Sequence, residues 1–395
     1  MKHGKIMLAL IVGVAMVGVA VPAGRAAEPY KIGFSGPLSG PPVFMGEVNR
    51  KTAVMLAEQM NAAGGINGRQ VTLISYDDRT DKKEAVSIAQ RLVGRDEVVA
   101  ILGGSLSGTS VAAAPIISQA KTPMIAAYSN AFQVVKGNDY VWRWASVADV
   151  QGYVMVHYVR TALKKEKMAV LSQDDEYGKG IARGVKEGVK RWGGTIVFEK
   201  SYPIGEKEFR ASLTEIKRLK PDAVLSMGLG PSQASVARQG AELGVFPAAQ
   251  MIASCTADDL NWFNTVGAEG EGTIGVLEFA TGEHTPQVQE FLKGWERDYK
   301  TRIVSHEAGT SYDATRMLLE AVRRGGATRE GVKKALDGMK EFKGLIGPPH
   351  VYTKMREPAY PLAIGVYRAA KKEYEIIKYY SDPDIIDPTR WASYY

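Results

Sequence analysis

The sequence predicts an α/β protein made of two lobes of parallel sheet, flanked by helices and joined by three hinge crossings. Short apolar runs alternate with helical patterns along most of the chain, and these runs are apolar on both faces, as expected for parallel strands covered by helices. The alternation is interrupted at three places, which we interpret as passages between lobes. The 395 residues, 45% of them hydrophobic, suffice for two domains.

The first 27 residues are typical of a secretory signal peptide. Lys2 and Lys5 precede an apolar run over residues 6–21, and small residues around Ala26 provide a cleavage site. A transmembrane anchor is the alternative, because the run approaches the shortest length that spans a bilayer. No basic cluster follows the run, which favours cleavage. We therefore expect export and a mature chain in the periplasm or another extracytoplasmic space.

Strands and helices then alternate in a regular order. In the first lobe we predict strands at 31–34, 71–76, 98–102 and 124–127, with helices at 51–63, 83–94 and 109–120. In the second lobe we predict strands at 168–172, 195–202, 223–227 and 251–253, with helices at 151–163, 178–192, 209–219 and 232–243. Glycine-rich turns, such as residues 64–68, separate the segments.

Three breaks in this alternation define the lobes. They lie at 140–146, at 275–282 and at 342–349, the last between a helix at 329–339 and a strand-like pair at 351–352. The predicted first lobe comprises residues 28–146 and 280–342, and the second comprises 147–279 and 343–395. Residues 381–395, rich in Pro, Asp and aromatic side chains, are interpreted as an extended C-terminal tail.

Composition excludes several classes of function. The formal net charge of +7 falls to +4 without the leader, and the basic residues are spread along helices, so we expect no nucleic-acid partner. Cys255 is the single cysteine, which rules out an intrachain disulfide. Motifs of metalloproteases, nucleotide-binding loops and serine hydrolases are absent, and the histidines are far apart in sequence. We therefore expect neither an enzyme nor a bound cofactor or metal.

The segment at residues 103–110 is the strongest candidate for a ligand site. It follows a buried strand and leads directly into a helix, with hydroxyls at Ser105, Ser107 and Thr109. Free N–H groups at a helix start attract a carboxylate, and open α/β sheets bind ligands at the carboxyl ends of their strands. The alternative is that Ser107 or Thr109 simply caps the helix.

Seven sequence markers in order resemble one family. They are "IGFSGPLSG" at 32–40, "NAAGGINGR" at 61–69, "YDD" at 76–78, "GSLSGTS" at 104–110, "QG" at 151–152, "DDEYGKG" at 174–180 and "LKPDAV" at 219–224. With this spacing the chain resembles the Leu/Ile/Val-type periplasmic solute-binding proteins of ABC transporters, which have the type I periplasmic binding fold. The resemblance implies a hinged clamp that closes on a small solute and delivers it to inner-membrane permease subunits. We expect a monomer.

The resemblance also implies a set of ligand-binding residues. The serine-rich loop is expected to bind the solute carboxylate, the loop at 128–130 its amino group, and an aromatic side chain of the second lobe its apolar body. The residues concerned are Met45, Ser105, Ser107, Thr109, Tyr128, Ser129, Asn130, Tyr177, Cys255 and Asp258. Alternatively, Tyr177 packs at a helix start and Tyr128 fills the lobe interface.

Three departures from the family pattern concern the solute. The loop that usually supplies an acid to the ligand ammonium reads Ser254, Cys255, Thr256, with Asp258 as the nearest acid. Leu229 and Gly230 replace an aromatic turn, and Asn130 replaces a hydroxyl. Burying an ammonium without an anionic partner is costly. The expected solute is a branched-chain or other apolar amino acid, and the alternative is an aromatic or other non-amino carboxylic acid, an amide or urea. A ligand-sensing protein and an extracellular hydrolase are more remote alternatives.

Overall fold

The computed structural model of the protein describes residues 28–40, 42–279, 285–300, 305–345 and 349–395. The predicted leader, residues 1–27, lies outside the described residues. Within the described ranges, no helix has the length and apolar character needed to cross a membrane.

The described chain contains two main sheets, a small two-stranded sheet and helices that cover them. The strands are β1 Tyr30–Gly36, β2 Val71–Asp77, β3 Ala100–Gly103, β4 Met124–Ala126, β5 Val141–Arg143, β6 Lys167–Gln173, β7 Thr195–Tyr202, β8 Ala223–Met227, β9 Gln250–Ala253, β10 Ile274–Leu277, β11 Glu341–Phe342, β12 His350–Val351, β13 Leu362–Arg368 and β14 Glu373–Tyr380. The helices are α1 Val43–Ala62, α2 Lys82–Gln90, α3 Ser107–Gln119, α4 Ala148–Thr161, α5 Glu176–Trp192, α6 Arg210–Leu219, α7 Gly230–Glu242, α8 Leu260–Thr265, α9 Pro286–Tyr299, α10 His306–Gly325, α11 Arg329–Asp337 and α12 Pro383–Ile386.

The first sheet is fully parallel, in the order β2-β1-β3-β4-β5. Ile32 of β1 stands opposite Leu73 of β2 and Ala100 of β3, so its central strands are paired on both edges. Helices begin where the sequence offers caps: the Asp81 side chain accepts the Lys83 and Glu84 N–H groups at the start of α2. Because the five strands are parallel, their carboxyl ends share one edge of the sheet.

The second sheet departs from the purely parallel prediction. Its order is β14-β13-β10-β9-β8-β6-β7, and β13 and β14 run antiparallel to their neighbours. A hairpin needs no crossover helix, so these two strands add to the sheet edge through a short turn in which Lys372 has a positive φ of 51°. The predicted breaks at 140–146 and 275–282 contain β5 and most of β10, two short strands that no helix separates from the passages that follow.

The chain passes between the two sheets three times. It leaves the first sheet after β5, returns after β10 to the helices beside α1, and crosses again between α11 and β13. Arg143, at the end of β5, forms an ion pair with Glu357 of the third passage, and both side chains are fully buried. Residues 280–284 of the second passage lie outside the described part of the chain. The division into lobes at residues 146, 280 and 343 stays a prediction.

The C-terminal tail is not extended as predicted. It folds into α12 and a 3-10 segment, Pro388–Tyr394, that lies against the second sheet's helices. Trp391 is completely buried and meets the Tyr153 ring of α4 edge-on, with ring centroids 5.6 Å apart. The aromatic residues that suggested a tail therefore serve as packing groups.

Candidate functional site

A cavity lies where the carboxyl ends of the two sheets face each other. Each parallel strand nearby contributes a residue from the loop or helix start that follows it: Ser107 after β3, Tyr128 after β4, Tyr177 after β6, Leu229 after β8 and Thr256 after β9. The full lining consists of Met45, Leu106, Ser107, Tyr128, Asn130, Asp175, Tyr177, Leu229, Thr256 and His306. The cavity volume is ≈ 20 Å³, room for about one water molecule, so a larger solute requires the cleft to open.

The predicted site residues divide into two groups. Five of the ten line this cavity, namely Met45, Ser107, Tyr128, Asn130 and Tyr177. The others are buried around it and are Ser105, Thr109, Ser129, Cys255 and Asp258. Parallel topology explains the first group, because loops that follow neighbouring strands meet at one edge.

Hydroxyls of the serine-rich loop, and of Ser129 in the loop after β4, hold the serine-rich loop in shape. Ser105 Oγ donates to the Ser35 carbonyl at 3.0 Å, Thr109 Oγ1 donates to the Leu106 carbonyl at 3.1 Å, and Ser129 Oγ donates to the Ser105 carbonyl at 2.6 Å. These three hydroxyls therefore position the loop.

Ser107 differs from these neighbours. The N-cap of α3 is Leu106, and no side chain caps this helix, so the alternative that Ser107 or Thr109 is a cap is wrong. Ser107 Oγ accepts the Ala131 N–H at 3.2 Å, which leaves its own proton for donation. With the N–H groups of the first helical turn, Ser107 forms a site suited to a carboxylate.

Two tyrosines line the cavity on opposite sides. Tyr177 donates its hydroxyl proton to Gln151 Oε1 at 3.1 Å and lies 3.3 Å from Cys255 Sγ. The Tyr128 hydroxyl is buried and has no hydrogen-bond partner within the described residues. Burial raises the pKa of both phenols well above the ordinary value, so both remain neutral. Tyr128 thus offers a ligand an unpaired donor.

Glu278 is the main functional candidate that the sequence analysis missed. It directly follows β10 and is fully buried. Its Oε1 accepts the Asn130 amide at 2.7 Å and the Ser146 N–H at 2.6 Å, while Oε2 has no hydrogen-bond partner among the described residues. Burial raises its pKa, and the neighbouring His306 opposes that rise. The sequence feature that could have identified Glu278 is its position directly after an apolar run.

Further acids lie beside the cavity. Both carboxylate oxygens of Asp258 are buried without hydrogen-bond partners in the described structure, and burial raises its pKa well above the usual range. Its backbone carbonyl accepts the His306 N–H at 3.1 Å. Asp259 caps α8 by accepting the Trp262 N–H at 2.6 Å. Asp258 therefore has two buried carboxylate oxygens without partners in the described structure, whereas the carboxylate of Asp259 is held by its helix cap.

Comparison with known sequences assigns the chain to a protein family. The family described as "Periplasmic binding protein" matches residues 29–372. The chain belongs to the periplasmic binding proteins. This periplasmic binding protein is 34% identical over 215 residues to an amino acid binding protein of Pseudomonas aeruginosa, a match that covers 54% of the chain and 58% of that relative. It is 26% identical to the leucine-specific-binding protein of Salmonella typhimurium, with 84% and 89% of the two chains covered.

Solved structures confirm the predicted fold class for this periplasmic binding protein. A branched-chain amino acid transporter substrate binding protein of Streptococcus pneumoniae, in complex with isoleucine, has a TM-score of 0.81 and 24% identity, with 89% and 99% of the chains covered. A solute binding protein of an ABC transporter from Rhodopseudomonas palustris, in complex with 3,4-dihydroxy benzoic acid, has a TM-score of 0.81 and 21% identity, with 89% and 97% covered. The predicted resemblance to Leu/Ile/Val-binding proteins is also confirmed.

Proposed function

We propose that this protein is the extracytoplasmic solute-binding component of an ABC importer. It closes on a small carboxylate-bearing solute, an apolar amino acid, and presents it to membrane permease subunits. The observation that carries the proposal is that the cavity lined by Ser107, at the start of α3, is also lined by Asn130 and His306, whose side chains lie next to the buried carboxylate of Glu278. A zwitterionic amino acid needs both an anion site and a nearby acid.

The carboxylate end is supplied by the first lobe. Ser107 Oγ keeps a proton to donate, and the first turn of α3 adds backbone N–H groups. Tyr128 adds an unpaired hydroxyl on the same side. Hydrogen bonds to a charged acceptor contribute about 1.5–3 kcal/mol each, so these donors account for most of the expected affinity for the carboxylate.

The anionic partner of the solute ammonium comes from a different segment than the loop that supplies it in the family pattern. Residues 254–256 contain no acid, but Glu278 approaches from β10 with its Oε2 free of hydrogen bonds to described residues. Asn130 occupies the position where the family pattern has a hydroxyl beside the ammonium. Its amide donates to Glu278 Oε1 and so orients this carboxylate. Glu278 thereby supports an amino-acid solute.

An aromatic carboxylic acid is the second candidate. The Rhodopseudomonas palustris neighbour binds 3,4-dihydroxy benzoic acid. Here Met45, Tyr128 and Tyr177 provide an apolar and aromatic lining. Because burial raises the pKa of Glu278, its own carboxyl can also be protonated, and a protonated carboxyl needs no ammonium partner.

We further propose that residues 1–27 are removed on export, that the mature protein is a monomer, and that it catalyses no reaction. Solute binding alone drives closure of the cleft. The solute shifts the equilibrium between open and closed forms only as far as it contacts both lobes better in the closed form.

A thermal-shift screen of the refolded mature chain tests the solute class. Refolding removes any solute carried through purification. Amino acids, benzoates, amides and urea are offered separately, and a solute at a hundredfold its Kd stabilises by about 2.7 kcal/mol. Response to apolar amino acids is expected. Response only to benzoates supports the second candidate, and silence across the panel contradicts both.

Matched serine variants localise the response. Ser107→Ala is expected to weaken the solute about tenfold, because a charged hydrogen bond is lost. Ser235→Ala, in α7 where the partly buried hydroxyl donates to the Pro231 carbonyl, leaves affinity unchanged. Equal affinities for both variants would place the carboxylate elsewhere.

A further inference from the structure

Three side chains with metal-binding atoms meet beside the cavity. Cys255 Sγ, a Glu278 carboxylate oxygen and a His306 ring nitrogen all lie within 4.8 Å of one another. They come from three different segments, after β9, after β10 and at the start of α10. All three side chains are buried, so solvent does not compete for these atoms.

The spacing of these atoms suits a shared tetrahedral ion. Cys255 Sγ is 3.7 Å from His306 Nε2, and His306 Nε2 is 4.0 Å from Glu278 Oε2. Zinc bonds of about 2.3 Å to sulfur and about 2.0 Å to nitrogen or oxygen place neighbouring ligand atoms roughly 3.3–3.6 Å apart. The sulfur–nitrogen distance is thus close to the expected value, and Glu278 Oε2 has to approach the other two atoms by roughly 1 Å on metal binding.

The ligand atoms are available for such a role. Glu278 Oε2 is buried without a hydrogen-bond partner in the described structure, while Oε1 is held by Asn130 and Ser146. A buried, unpaired carboxylate oxygen is unfavourable unless a cation or donor satisfies it. This oxygen is the second, independent indication of a ligand.

A carboxylate lies close to the His306 ring nitrogen that faces away from Cys255. His306 Nδ1 is 3.3 Å from Glu307 Oε2, without a hydrogen bond in the described structure, and metal-bound histidines commonly have a carboxylate at this nitrogen. His306 also lines the cavity, which gives the site a route to the cleft.

We propose that Cys255, Glu278 and His306 bind one divalent transition-metal ion of the zinc class, with the fourth coordination position directed toward the cavity. Thiolate, imidazole and carboxylate ligands select zinc or cobalt over magnesium and calcium. On binding, the hydrated ion exchanges water for the three ligands, and the Cys255 thiol releases its proton to solvent.

The metal site bears on solute binding because both use Glu278. A metal ion on Oε2 removes the oxygen that the proposed ammonium contact requires. Zinc and an amino acid are therefore expected to compete, whereas a carboxylate without an amino group could bind the ion's open position. Metal binding itself is measured without solute, so its failure is separate from failure of the proposed function.

Cobalt titration of the untagged, chelator-treated mature chain tests the site. Because Cys255 is the single cysteine, a thiolate-to-cobalt charge-transfer band in the near ultraviolet reports this residue alone. We expect one cobalt per chain, loss of the band on adding zinc and no effect of magnesium. A wild-type chain that shows no such band overturns the proposal.

Variants test whether the other two ligands take part. His306→Gln and Glu278→Gln are each expected to weaken cobalt binding at least about tenfold. The control His157→Gln removes a half-buried imidazole near Tyr380 and leaves binding unchanged. Undiminished binding in both ligand variants overturns the three-residue site.

X-ray absorption of the wild-type zinc complex keeps the test independent of variant folding. One sulfur at about 2.3 Å, together with nitrogen and oxygen neighbours that include an imidazole, is expected. A shell of nitrogen and oxygen alone overturns the proposal, because Cys255 would then not be a ligand.

Discussion

The Asn130 side-chain amide donates a 2.7 Å hydrogen bond to Oε1 of Glu278, joining the loop after β4 to the end of β10. The Ser146 N–H donates to the same oxygen at 2.6 Å. Two donors therefore orient the carboxylate and leave Oε2 beside His306. This pairing links the hinge to the proposed ammonium contact.

Glu278→Gln separates the two solute classes. Glutamine preserves the shape and an acceptor for Asn130 but carries no charge. We expect amino-acid affinity to fall about 10- to 100-fold, because a buried ammonium loses its anion. Affinity for a benzoate is expected to stay equal or increase. Calorimetric titration with chelator present measures this without metal, and Glu271→Gln, an exposed acid, serves as the control.

The Lys82–Glu176 ion pair connects the two sides of the cleft. Lys82 Nζ of α2 lies 2.5 Å from Glu176 Oε1 of α5. Lys82→Ala is expected to favour the open form and weaken solute binding about two- to fivefold at low salt, with less effect at high salt. Lys186→Ala, which removes a pair with Glu199 inside the second lobe, should not alter the Kd. If both variants change the solute Kd to a similar extent, Lys82 has no specific role in closure.

Gly152 allows α4 and α5 to pack closely. A Cβ at this position would lie 2.0 Å from the Ile181 carbonyl oxygen. Gly152→Ala is therefore expected to lower the free energy of unfolding by about 1–3 kcal/mol or more. In contrast, a Cβ on Gly294 meets nothing within 4 Å, and Gly294→Ala in α9 should stabilise by about 0.5–1 kcal/mol. Urea unfolding compares the two, and equal effects would contradict the packing argument.

Asp313 makes stability depend on pH. Burial raises its pKa from 3.8 to about 7, while it accepts the Leu345 N–H at 2.8 Å and lies 3.4 Å from Arg316 Nη1. The folded state keeps this proton where the unfolded state has lost it, so stability falls as pH rises from about 4 to about 7. The contribution is at most about 4 kcal/mol.

Asp313→Asn tests this dependence, because asparagine can still accept the Leu345 N–H but does not titrate. The loss of unfolding free energy between pH 4.5 and 7.5 should be smaller in this variant than in the wild type. Asp337→Asn, an exposed carboxylate paired with Lys333, provides the control. If the wild type and Asp313→Asn show parallel pH profiles, Asp313 is not the responsible group.

Trp391 attaches the C-terminal segment to α4. Its side chain is fully buried against Tyr153, whose ring also lies 4.8 Å from the Arg390 guanidinium. Trp391→Ala should destabilise the protein by about 3–5 kcal/mol with little change in solute Kd, because the site is elsewhere. The half-exposed Tyr394 gives a milder control variant. A large change in Kd without loss of stability would assign the tail a role in the cleft.

Several site residues were predictable because the positions of strands and of the turns that follow them depend on local sequence. Ser107, Tyr128 and Tyr177 each follow a recognisable parallel strand, and such loops meet at one edge. In contrast, α10 was not predicted. Its buried His306, Glu307, Thr310 and Ser311 interrupt the apolar periodicity that identifies a helix. The hairpin β13–β14 was missed as well, because β13 is a short, mostly buried apolar run that periodicity alone does not distinguish from a helical segment.

The sequence by itself determined the alternating strands and helices, the two-sheet class and the serine-rich loop, since these depend on periodicity and turn residues that act over short distances. Only the tertiary structure decided that Cys255, Glu278 and His306 meet and that Asn130 holds Glu278. Those contacts join segments that are more than twenty residues apart in sequence. Their physical cause is the burial of polar groups near the chain crossings, because the neighbours of such groups come from distant segments that no local pattern specifies.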